Sequence, residues 1–110
     1  MLNRSILIVR AKEPFVQWIN SLPDPAHVSR EQVNRDNTAY LLPDLAYDDE
    51  QEELLAQFYD LIFQEQLSGW WTDESAWPQK RDLPTFKEWF DVEFHSAVLD
   101  LVDAPLEDDE

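Results

Sequence analysis

The chain has 110 residues, with 24 Asp and Glu against 8 Lys and Arg, a formal net charge of −16. Its length suits one domain, and 44% hydrophobic with 13% aromatic residues is too apolar for a disordered acidic chain. One glycine and no cysteine exclude glycine-rich phosphate loops, nucleophile elbows, disulfides, thiolate catalysis and cysteine metal sites. The negative charge opposes nucleic-acid binding, which rests on Lys and Arg contacts to phosphate.

Residues 4–10 read Arg-Ser-Ile-Leu-Ile-Val-Arg. The four consecutive β-formers Ile6–Val9 predict a central strand buried on both faces, with Ile8 in the core. Phe15, Trp18, Ile19 and Leu22 follow at the spacing of one helix face. Pro14 suits the first turn, and Pro23 and Pro25 stop the chain, so a helix is expected over 13–22. Ser29-x-x-Gln32 is a capping box that opens a short helix through Asn34. Thr38–Leu42 reads as a second strand, closed by Pro43 and Asp44. The segment 11–37 is long enough for a crossover, so the first two strands are expected to be parallel, joined by a right-handed βαβ unit.

Residues 48–68 predict the longest helix. Asp48, Asp49 and Glu50 crowd its N-terminus, where the helix dipole favours negative charge, and Gly69 suits its C-terminal cap. Leu54, Leu55, Phe58, Tyr59, Leu61, Ile62, Phe63 and Leu67 cover more than half its circumference. The Trp-rich segment 69–78 is the expected cover. Asp82 then caps a short helix with Pro84 in its first turn and Phe86, Trp89 and Phe90 on one face. Residues 92–102 fit no clean helical stripe, and their β-formers favour a third strand. The expected fold is α+β (or small α/β), in the order β-α-β-α-α-β, with a three-stranded mixed sheet. One domain over 1–104 and a flexible acidic tail over 105–110 are expected.

No apolar run approaches the about 20 residues of a membrane span, and no signal-peptide core or lipidation motif is visible. A cytoplasmic protein without a membrane contact is the expectation. Residues 1–37 sum to +1 and residues 38–110 to −17. Such a surface gives solubility; it also fits a basic partner protein.

Carboxylates are plentiful, so pairs of them carry little specificity. Asp73 and Glu74, flanked by Trp71 and Trp77, are the best candidates for acid–base work, which needs a carboxyl of raised pKa in a dry pocket; the ordinary alternative is a turn with a capping Asp. Glu88 and Asp91 extend the same carboxylate set. Asp48–Glu50 and Asp108–Glu110 offer oxygen ligands but lack the spacing of a Ca²⁺ loop. His27 and His95 have no second histidine at helical spacing, and His95 and Ser96 point to opposite faces of a strand. His95 therefore reads as a partly buried polar residue. No cofactor and no metal site are expected. Trp70, Trp71 and Trp77 either fill the core or form an aromatic patch which, with Asp73, Glu74, Glu88 and Asp91, would meet a Lys- or Arg-rich surface.

Three stretches together, Ser5–Phe15 with Trp18, Thr38–Asp44 and Trp89–His95, resemble a group of small acidic proteobacterial proteins labelled conserved hypothetical. The resemblance implies a bacterial cytoplasmic protein and brings no activity or site residues. The expected function is a small interaction module (inhibitor, adaptor or antitoxin-like factor) for a basic partner. The alternative is a carboxylate-based hydrolase or divalent-metal enzyme. Oligomeric state is open.

Overall fold

The computed structural model describes residues 2–45 and 48–107. Strand β1 (Arg4–Ala11) lies at the centre of a three-stranded sheet. On one face it buries Ser5, Leu7, Val9 and Ala11; on the other, Ile6 and Ile8 are half-buried. The apolar run is thus buried on one face, and Leu7, not Ile8, is the core residue. A second face this apolar needs no cover of its own, because a strand half-shielded by its neighbours keeps β-branched side chains at modest cost.

Helix α1 (Glu13–Asn20) follows at once, with Pro14 in its first turn. Phe15, Trp18, Ile19 and Leu22 are all buried, as their spacing predicts, and Val16 is buried with them. The capping box also forms: Ser29 accepts from the Gln32 amide, Gln32 returns a bond to the Ser29 amide, and α2 (Arg30–Val33) starts there. Strand β2 (Ala39–Pro43) then pairs with β1 antiparallel, Ile6 opposite Leu41. This overturns the parallel crossover. The cause sits just upstream. The Asn34 side chain accepts from the Ala11 amide at 2.8 Å and donates to the Ala11 carbonyl at 2.9 Å. It pins the returning chain at the C-terminal end of β1, from which β2 can only run back.

A 3₁₀ turn (Asp48–Glu50) leads into α3 (Gln51–Ser68), which buries Leu55, Ile62, Phe63 and Leu67. Gly69 is its C-terminal cap, as expected, in a right-handed conformation with φ −64°. Asp82 caps α4 (Leu83–Trp89) by accepting from the Thr85 amide. The chain passes from α4 into β3 (Phe90–His95) without a loop. The third strand therefore starts two residues earlier than expected and stops at His95, and 96–102 carry no regular structure. β3 pairs with β1 antiparallel, Ile8 opposite Glu93.

The core joins α1, α3 and α4 to one face of the sheet through Leu7, Val9, Ala11, Leu42 and Phe90. Phe63 is its hub, with ring centroids 5.7 Å from Phe86, 5.6 Å from Trp89 and 5.6 Å from Phe90. On the opposite face Ile6, Ile8, Arg10, Leu41, Asp91, Glu93 and His95 are half-buried or exposed. The architecture is a two-layer α+β domain, and among the described residues no helix is long and apolar enough to cross a membrane.

Candidate functional site

The Trp-rich segment folds inward. Trp77 is 8% exposed, and its indole N–H donates to the Trp71 carbonyl at 2.7 Å. The Trp18 indole donates to the Ala76 carbonyl at 2.9 Å. Two buried indole donors thus find acceptors in this loop, which is what a buried Trp needs. The Arg81 guanidinium lies 5.6 Å from the Trp77 ring centroid, so the chain's own cation takes the place expected for a partner's. Trp77 is a core residue, not part of an exposed platform. Trp71 is half-buried and Trp70 exposed.

The carboxylates separate in the same way. Asp73 accepts from the Ser75 amide and hydroxyl at the start of a 3₁₀ turn (Glu74–Ala76). Those bonds hold its carboxyl below the usual range, the opposite of what a general acid needs. Asp73 is therefore the turn cap of the ordinary alternative. Glu74 and Glu88 are exposed, and Asp91 pairs with Arg30 at 3.8 Å. Among the described residues no hydrogen bond or ion pair joins Glu88 or Asp91 to Asp73 or Glu74. No three His, Cys, Asp or Glu side chains converge among the described residues. The Asp108–Glu110 run lies outside those residues. So do Met1, Ala46 and Tyr47.

His95 is exposed, a correction to the partly buried position expected. Its Nε2 is 2.6 Å from Glu93 Oε2, and Arg10 donates to the other oxygen of Glu93 at 3.1 Å. The His95 bond and the Arg10 contact together lower the Glu93 carboxyl below its usual range.

A different surface has the features of a binding site. Between β2 and α3 runs a groove of about 590 Å³. Its walls include Tyr40, Leu41, Leu42, Phe58, Leu61 and Trp77. Leu41 is 53% and Leu61 65% exposed. Glu65 also lines it and accepts from the Tyr40 hydroxyl at 2.8 Å, and Gln66 donates to that hydroxyl. Burial and the Glu65 charge push the Tyr40 phenol well above its usual range, so it stays a neutral donor. Among the described residues no Lys or Arg lines the groove. Its volume falls within the about 300–1,000 Å³ of ligand sites. A smaller polar cleft of about 170 Å³ lies beside it, with Asn34, Asn37, Thr38, Gln66 and Trp70 in its walls.

The sequence reading missed this groove, although the signal was present. The apolar circumference of residues 54–67 was wider than a sheet can cover, and the Trp-rich segment covers only part of it. Leu61 is what remains uncovered.

Charge sets the character of the surface. Glu52, Asp82, Asp91 and Glu93 lie within 4 Å of a Lys or Arg. Among the described residues Glu53, Asp60, Glu65, Glu74 and Glu88 are exposed with no Lys or Arg at that distance. The fold and surface define a two-layer α+β protein with an acidic exterior and an apolar groove. No family model matches this chain, and no curated protein or solved structure matches it significantly.

Proposed function

We propose that this chain is a non-enzymatic interaction module that binds a basic partner protein. The observation that carries the reading is the excess, among the described residues, of exposed carboxylates with no Lys or Arg within 4 Å, one of which, Glu65, lines an apolar groove. Unscreened like charges cost stability through self-repulsion, and a basic partner relieves that cost while the groove supplies apolar burial. Electrostatic complementarity of this kind speeds encounter and selects the partner.

The hydrolase and metal-enzyme alternative has less support. Its best carboxyl, Asp73, is held ionised by capping bonds.

Affinity capture from a lysate of the source organism, followed by titration of each retained protein at low and moderate salt, tests the proposal. The expected result is one basic protein bound at 1:1 stoichiometry, with affinity falling as salt rises. Retention of nothing, or of proteins whose affinity ignores salt, would overturn it.

A further inference from the structure

We infer that the free edge of β2 and the groove beside it form the docking site, and that an extended segment of the basic partner adds there as a fourth strand. The inference rests on the basic-partner reading above and names its site and the form of its ligand.

The backbone pattern points to the edge. Val9 donates to the Thr38 carbonyl, which makes Val9 and Thr38 a hydrogen-bonded pair of the antiparallel ladder. Such pairs alternate, so Leu7–Tyr40 and Ser5–Leu42 are bonded as well. The N–H and C=O groups of Ala39 and Leu41 then face away from β1. The other side of the ladder agrees: Lys12 donates to the Trp89 carbonyl, which directs even-numbered residues of β1 to β3 and odd-numbered ones to β2. Pro43 falls in phase with Leu41, at an outward position where its missing N–H interrupts no ladder bond.

The groove lies along that same edge. Tyr40 and Leu42 belong to the core face of β2 and Leu41 to the opposite face, yet all three line it. A wall built from both faces of a strand is the strand's edge. Edge strands of this kind are ordinarily blunted by Lys, Pro, a bulge or a covering element; β2 has no Lys, and its Pro43 blunts only the end of the strand, past the outward positions Ala39 and Leu41. Strand addition uses the main chain for affinity and pockets for alternate side chains for specificity. Here the groove-facing side chains of an added strand would meet Phe58, Leu61 and Trp77, and their neighbours along the strand would reach Glu65.

Charge selects the occupant. A second copy of this chain would bring another −16 to the interface. The chain's own exposed apolar segment, with Leu99, Leu101 and Val102, carries Asp100 and Asp103. Both are like-charged with Glu65, the charged residue of the groove. A partner segment with apolar side chains facing the groove and Lys or Arg at its ends complements it.

The test uses the full chain and two synthetic peptides, Lys-Thr-Val-Thr-Val-Thr-Lys and its counterpart with Glu at both ends, followed by amide NMR and hydrogen exchange. The expected result is saturable 1:1 binding of the Lys-ended peptide, with the Ala39 and Leu41 amides newly protected from exchange. The Glu-ended peptide and Leu61→Lys should each weaken binding by about tenfold or more, with the variant's melting curve unchanged because Leu61 is exposed. If the Lys-ended peptide binds in a salt-sensitive way but leaves Ala39 and Leu41 unprotected, the edge site falls and the basic-partner reading stands. If neither peptide binds, both fall. Equal binding of the Glu-ended peptide, or protection of Leu41 that grows with protein concentration alone, would show a different occupant and overturn the assignment.

Discussion

The Trp-rich segment 70–77 and the groove between β2 and α3 are two aromatic and apolar regions that meet at Trp77, and they end in opposite situations. Trp77 is buried, its indole N–H is bonded and Arg81 lies over its ring. Leu61 and Leu41, smaller and less conspicuous in the sequence, stand in solvent beside unpaired backbone. Residue type does not decide which region faces a partner. What decides is whether the chain supplies its own cover. The loop reaches back and satisfies two indole donors; nothing among the described residues does the same for the outer edge of β2.

Substitutions can break or sharpen that contrast. Trp77→Ala should cost about 3–5 kcal/mol of unfolding free energy, the usual range for deleting a buried aromatic ring. Denaturant titration measures it, and a near-wild-type value would return Trp77 to the surface. Within the sheet, Leu7→Ala should cost about 2–5 kcal/mol and Ile8→Ala less, because part of the Ile8 side chain is already in water. Equal losses would mean that both faces are covered. Gly69→Ala should raise stability by about 0.4–1 kcal/mol. The cap is right-handed and an added Cβ would sit 3.5 Å from the nearest atom, Gln66 O.

The segment that packs inward is bracketed by carboxylate caps, and the groove is not. Asp73 and Asp82 both have carboxyls lowered in the fold, chiefly by bonds from Ser75 and Thr85. Their contribution is therefore complete above the ordinary Asp value and is lost as pH falls through the lowered one. Asp82→Ala should separate from the parent chain more at about pH 6 than at about pH 3, and a constant gap in thermal unfolding would refute the assignment. Smallest of all, Leu61→Ala should change stability by no more than about 0.5 kcal/mol, although it lines the groove. A larger loss would place Leu61 in the core.

Much of the molecule was legible locally. The apolar spacing of Phe15, Trp18, Ile19 and Leu22, the Ser29–Gln32 box and the Asp82 cap are short-range instructions, and each is obeyed. The length and apolar breadth of α3 were legible too, and with them the central place of β1. Illegible was anything that depended on a distant partner. Strand direction turned on the Asn34 clamp at Ala11, which links residues 23 apart in sequence. The strand at Phe90 began where β1 offered a ladder partner, cutting short a helical pattern that ran through Phe90.

The candidate site followed the same division. Glu88 and Asp91 group with Asp73 and Glu74 in the sequence reading, and the fold leaves them unlinked; Tyr40 and Glu65 are 25 residues apart, and the fold joins them. By itself the sequence determined the α+β class, the places of the helices with the Ser29 and Asp82 caps, and the charge, because each depends on neighbours a few residues away or on composition alone. Only the tertiary structure decided which face of β1 is buried, which way β2 runs and which apolar side chains remain for a partner. Those outcomes are set by what packs against what, and packing is a property of the whole chain.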